Sequence, residues 1–209
     1  MPMNFASNAP ETVLWDLTFQ IQALLQTEGF LAKIPAFSET SGGSLADFLK
    51  DWADKIPPGT NWPAWEGSVS APVLLVTDSL TPEENHYARK WFENDKLRVS
   101  FNQTFLIHLW PPLTDDDSRV YFTNLIEQLK PQVIFCLGPQ PAAKLLHAPS
   151  SIDTLRSGEF PFAKTPLITT YHPSALLSLP PESPALASLK AHVWRDAQRL
   201  VAKLKSVVA

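Results

Sequence analysis

Four short, near-continuous apolar runs constrain this chain more than any other feature. They are PVLLVT (Pro72–Thr77), TFLIHLW (Thr104–Trp110), QVIFCLG (Gln132–Gly138) and PLITTY (Pro166–Tyr171). Runs this apolar do not alternate, so each asks to be buried on both faces, as strands of a parallel sheet are. Helix signals lie between them. Thr81-Pro82-Glu83-Glu84 combines an N-cap, a first-turn proline and an acid three residues after the cap. Asp115 to Asp117 put acids at the positive end of a helix carrying Val120, Tyr121, Leu125 and Leu129. Gly138 turns the third run into a short helix from Pro141 to Leu146, and Ser150 to Thr165 reads as irregular. A long helix from Ala185 to Lys205 closes the chain, with Leu186, Leu189, Val193, Ala197, Leu200 and Leu204 on one stripe. The pattern predicts an α/β domain: a three-layer sandwich around a four-stranded, mostly parallel sheet.

Upstream the pattern differs. Asn8-Ala9-Pro10-Glu11 has capping-box spacing and predicts a helix to Thr27, and Ser44 caps a second carrying Leu45, Phe48, Leu49, Trp52 and Ile56. The following IPPGTNWPAWEGSVSAP reads as a loop or linker, with Trp62 and Trp65 as packing pegs or as partner contacts. The expected division is a helical N-terminal extension and linker over 1–70 and an α/β domain over 71–209.

Charge narrows the function. Residues 1–70 carry three Lys against eight acids, whereas residues 71–209 are nearly balanced. That is not the basic footprint of a tight nonspecific DNA binder. Lys190, Arg195, Arg199, Lys203 and Lys205, with Asp196 the one acid among them, form a local basic face on the final helix. The single cysteine, Cys136, excludes an internal disulfide and any cysteine-rich metal or iron–sulfur site, and its apolar surroundings predict a buried structural thiol. His86, His147 and His192 lack metal-ligand spacing, so neither a metal nor a cofactor is expected. Met1 to Ala9 lacks the regions of a signal peptide and no run reaches membrane-spanning length, so a cytoplasmic protein with no membrane partner is expected.

One stretch suggests chemistry. In TYHPSALLSLP, Thr170 to Pro180, an apolar strand delivers His172 into a proline-stiffened loop. Open α/β sheets put their sites at that end of the strands. His108 lies in an apolar run and reads as a satisfied core residue. Asp78 reads as a turn or cap residue or, more sharply, as an acid at a strand end. Of Leu176 and Leu177, one is expected in the core and one exposed.

HPSALL has company. LRSGEFPFAKTPLITTYHPSALL precedes LKAHVWRDAQRL and follows LKPQVIFCLGPQPAAKLL and TFLIHLWPP. In order and spacing these resemble the uracil-DNA glycosylase superfamily, most closely its thermostable bacterial and archaeal branch, over roughly Pro72 to Leu204. The resemblance implies a DNA-binding groove at the strand carboxyl ends and hydrolysis of the bond between an extruded uracil and its deoxyribose. It further implies that His172 stabilises the leaving base, that Ser174 contacts a backbone phosphate and that Leu176 is the wedge. Arg156 joins them as a DNA contact, and Asp78 stands where the family's acid positions water.

Other motifs depart from the family. Val76-Thr77-Asp78-Ser79-Leu80-Thr81 replaces a Gly-Glu-Ala-Pro-Gly loop, giving a shorter acid and no glycine. Counted back from Pro111-Pro112, Phe105 takes the position of an asparagine that reads uracil, and Trp110 that of an arginine. A site built on such a hydrogen bond discriminates by roughly ten-thousandfold, and Phe cannot supply it. The sequence is therefore read as a catalytically degenerate glycosylase-like protein, a binding or scaffold subunit in DNA replication or repair. Its partners would be DNA and replication or repair proteins. Its degenerate motifs and Trp15-bearing extension also resemble the psi subunit of the bacterial DNA polymerase III clamp loader. The alternative is an active glycosylase using Asp78 and His172 on uracil or another damaged base, and a small-molecule binder is third.

Overall fold

The structure, a computed structural model, describes residues 45–54, 65–92, 99–108, 115–147 and 151–208. All of these belong to one compact unit, Gly42–Ala209. The helix expected from Asn8, with Trp15, and the residues Trp62 and Trp110 lie outside the described residues.

In chain order the elements are α1 (Leu45–Asp54), β1 (Trp65–Gly67), β2 (Val73–Thr77), α2 (Pro82–Phe92), a 3-10 turn (Phe101–Gln103), β3 (Thr104–His108), α3 (Asp115–Leu129), β4 (Val133–Leu137), α4 (Pro139–Leu146), α5 (Ile152–Ser157), β5 (Phe160–Phe162), β6 (Thr165–Thr170), α6 (Pro173–Leu177) and α7 (Pro184–Val208). The four apolar runs form the parallel core of the sheet, in the order β3-β2-β4-β6. All five residues of β2, β3 and β4 are buried, so both faces are covered. On one face Val73, Leu75, Leu106, Val133, Phe135 and Ile168 pack against Ala88 and Phe92 of α2 and Leu200 of α7. On the other, α4 lies against β2, β4 and β6.

The sheet has six strands and is mixed, which corrects the expected four-stranded sheet. β1 pairs antiparallel with β3 and β5 antiparallel with β6, one at each edge. Both are three residues long and sit in segments rich in turn residues, too short to show a period of two. The segment read as irregular, Ser150 to Thr165, thus holds α5 and β5, and the segment read as a linker holds β1. Arg89 of α2 pairs with Glu66 of β1 and lies over the Phe101 ring at 4.2 Å.

Local signals account for the helix starts. Thr81 and Glu84 form a reciprocal capping box: the Thr81 N–H donates to Glu84 at 2.7 Å and the Glu84 N–H to Thr81 Oγ1 at 3.2 Å. α4 begins at Pro139, two residues earlier than expected, because Gly138 at φ 100° makes the turn that only glycine adopts without strain. Among the described residues no helix is long and apolar enough to cross a membrane.

Candidate functional site

From β2 the chain crosses to β3 on one side of it and then to β4 on the other. The strand order reverses at β2, and open α/β sheets place their sites outside the carboxyl ends of the strands at such a point. Asp78 follows β2 directly, His108 ends β3 in register with Thr77, Gly138 follows β4, and His172 follows β6. The topology thus gathers two histidines, one carboxylate and one glycine from four separate strands.

His172 is fixed by its own loop. It is the N-cap of α6, with extended backbone (φ −69°, ψ 143°) and Pro173 at the first helical position. Its Nδ1 accepts the Ser174 N–H at 3.2 Å, and Ser174 Oγ lies 2.7 Å from the same nitrogen. A backbone N–H can only donate, so Nδ1 is an acceptor and the neutral ring carries its proton on Nε2. That Nε2 is shielded from solvent and has no hydrogen-bond partner among the described residues. Burial pushes the imidazole pKa below its ordinary value, against the opposing charges of Glu84 and Asp78. The result is a neutral ring holding one donor in a set direction.

Gly138 makes this packing possible. A Cβ there would meet the His172 Cβ at 3.1 Å, on a backbone already at φ +100°. We expect Gly138→Ala to destabilise the protein by at least about 1 kcal/mol and to displace His172. Chemical denaturation and the His172 ring signals in NMR would check this. Wild-type stability with unmoved signals would contradict it.

Asp78 is half-buried. Burial raises its carboxyl pKa, while the charges of His172 and Lys144 act to lower it. No hydrogen bond among the described residues holds the carboxylate. Its backbone carbonyl does have a partner, His108 Nδ1 at 3.2 Å. His108 is 2 % exposed, and burial depresses its pKa against that bond and the charge of Glu66.

His108 is the residue that motif counting missed. Phe105 is 1 % exposed and sits within β3, opposite Leu74 and Gly67, three residues before the strand ends. The sheet register puts His108, not Phe105, beside the end of β2. Aligning TFLIH with VLLVT as neighbouring buried strands would have exposed this, whereas counting back from the prolines did not.

The remaining expected site residues divide. Ser174 is exposed beside His172. Leu176, expected as the wedge, is 2 % exposed and packs with Leu186 and Val193, whereas Leu177, 36 % exposed, is the leucine that protrudes. Helix geometry decides this, since in the one-turn α6 only one of two adjacent residues can face α7. Arg156, expected on DNA, is turned inward. Its Nε donates to Asp196 at 2.6 Å, a second nitrogen donates at 3.2 Å, and its guanidinium lies over Tyr171 at 4.6 Å. Burial alone would lower the Arg156 pKa, but the Asp196 bonds and charge outweigh it.

The depressed histidines set a pH dependence. A group whose folded pKa lies below its unfolded value contributes stability that is present above the unfolded value and is lost as pH falls toward the folded one. For His172 and His108 that loss begins near the ordinary value of 6.5. Melting temperature should therefore fall on acidification below that point, and less so in His172→Gln. Parallel curves for the two proteins would remove His172 from this account.

An apolar cavity of about 410 Å³ lies elsewhere, between α1 and β1, lined by Leu45, Ala46, Leu49, Lys50, Trp65 and Val69. Lys50 alone there offers a charge, so the convergent polar groups remain those of the sheet end.

The family model described as the uracil DNA glycosylase superfamily matches residues 35–198, more than three-quarters of the chain. No curated protein matches it in sequence.

Proposed function

Because the chain belongs to the uracil DNA glycosylase superfamily, we propose that it holds an extruded base against His172 and serves DNA repair or replication as a binding or scaffold subunit rather than as an efficient hydrolase. The observation that carries this is an asymmetry at the sheet end. The side that would face a leaving base is complete: a neutral imidazole, fixed through Nδ1, with Nε2–H as donor. The side that would activate water is reduced to Asp78, one methylene shorter than the family's glutamate. Beside it stands the His108 ring, bonded to backbone, while Phe105 takes the position of the family's base-reading asparagine.

Ser174 and Leu177 are the exposed residues of this loop, suited to a phosphate contact and to a wedge. With a net charge of −4, affinity should depend on the distorted site rather than on a long basic surface. Residues 1–70 would recruit the protein partner, as the resemblance of the Trp15-bearing extension to the psi subunit implies.

The test is binding and base release on oligonucleotides carrying uracil, hypoxanthine, a mismatch or an abasic analogue. We expect about tenfold preference for a uracil or abasic site over intact duplex, the scale of one good hydrogen bond, lost in His172→Ala. Base release should be slow even with protein in excess. Rapid turnover abolished by His172→Ala would overturn the proposal in favour of an active glycosylase. One observation favours that second reading: Asp78 and His172 lie close enough for each charge to shift the other's titration.

A further inference from the structure

Thr170, Tyr171 and His172 leave the sheet in succession, and each of the first two is held by groups outside the loop. Thr170 Oγ1 donates to Asp196 at 3.0 Å, and its carbonyl accepts the Gly138 N–H at 2.9 Å. Tyr171 carries Arg156 over its ring at 4.6 Å, stacks on His192 at 6.0 Å and 11°, and donates its hydroxyl to Asp153 at 3.1 Å. These ties meet at Asp196, which is 1 % exposed on α7 and takes both Arg156 and Thr170. Arg199 extends the cluster, donating to the Gly158 carbonyl at 2.6 Å while a nitrogen lies 3.8 Å from Asp196.

We propose that Asp196, with Arg156 as its counter-ion, is a positioning residue that fixes the direction of the His172 imidazole from behind β6. The proposal rests on the reading above in taking His172 as the group that faces the base. A buried carboxylate bonded to the residue two before His172, and through Arg156 to the residue one before it, removes the freedom of the strand end to twist. The loop's own bonds hold the ring relative to Ser174, and the Asp196 cluster holds that loop relative to the sheet. Arg156 thereby acts on the site without reaching DNA.

Two variants test this. Thr170→Val, close in shape, removes one bond to Asp196 and leaves the Arg156 pair intact. Asp196→Asn keeps the side-chain size but removes the charge. Each is followed by the ¹⁵N ring signals of His172 and by thermal unfolding. We expect both folded variants to keep the Nε2–H tautomer that the Ser174 N–H imposes but to shift and broaden the His172 ring signals as the loop moves against the sheet. Thr170→Val should also lose affinity for uracil-containing DNA by about fivefold, the scale of one neutral hydrogen bond. Unchanged His172 signals in the folded variants, whatever their melting temperatures, would overturn the positioning role and leave Asp196 purely structural. If Asp196→Asn does not fold, Thr170→Val decides alone. Altered ring signals with no DNA binding by wild type would instead sustain the positioning role and refute the proposed function.

Discussion

Asp196→Ala is expected to cost about 3 kcal/mol, because it leaves the half-buried Arg156 guanidinium without its counter-charge. Arg156 and Asp196 side chains are 10 % and 2 % exposed, so water cannot replace the lost partner without opening the packing of α7 on β6. The Thr170 hydroxyl loses its acceptor at the same time. For a chain of this size such a loss lowers the melting temperature by roughly 10 °C. The pair itself need not stabilise the fold relative to apolar side chains. Arg156→Met combined with Asp196→Leu should therefore recover much of the loss, and the double-mutant comparison separates the orphaned charge from the net worth of the pair. A loss below about 1 kcal/mol in Asp196→Ala would mean that solvent reaches the site and that the cluster is not buried as described.

Asp78→Glu is expected to increase base release from uracil-containing single strands, by roughly tenfold to a hundredfold under single-turnover conditions. Displacing a reacting group by about an ångström costs on that order, and one methylene supplies that reach. The local setting suits the change. Asp78 is half-buried, its carboxylate is held by no hydrogen bond among the described residues, and burial raises its pKa against the charges of His172 and Lys144. The gain should depend on His172: the same substitution in a His172→Ala background should release no more base than His172→Ala alone. If Asp78→Glu leaves release unchanged while DNA binding persists, reach is not the deficit. The missing turn glycines or the asparagine replaced by Phe105 would then set the limit. If the variant falls below a wild type that is already active, Asp78 is itself the working acid and the scaffold reading fails.

Much of the fold was legible because burial on two faces leaves an unmistakable mark. The four apolar runs became β2, β3, β4 and β6, and Thr81 to Glu84 and Asp115 to Asp117 started the helices their chemistry indicated. The edge strands were not legible. β1 and β5 are defined by the partners they pair with, and Trp65-Glu66-Gly67 or Phe160-Pro161-Phe162 alone carries no strand signal. At the site, His172 was readable from its loop, since proline, serine and the apolar run are adjacent in sequence. His108 was not, because its position follows from sheet register, a property of two strands together. The pairing of Arg156 with Asp196 was not legible for a related reason. A basic residue near a DNA-associated motif reads as a phosphate contact until its acid, forty residues on, is brought beside it. Likewise, only the packing of α6 against α7 decided between Leu176 and Leu177.

The two edge strands also limit how this protein meets other proteins. On the β5 side, Pro161 stands opposite Pro166 of β6, and a proline has no N–H to offer an incoming strand. On the β1 side, Gly67 at φ +104° turns the chain away after three residues, and Glu66 is committed to Arg89. Among the described residues neither border presents a long, regular row of amides for an intruding chain to zip onto. Edge-to-edge pairing on these two strands is thereby discouraged. A partner that meets the described residues would have to recognise side chains on helices and loops, with specificity written in shape and charge rather than in shared main-chain bonding.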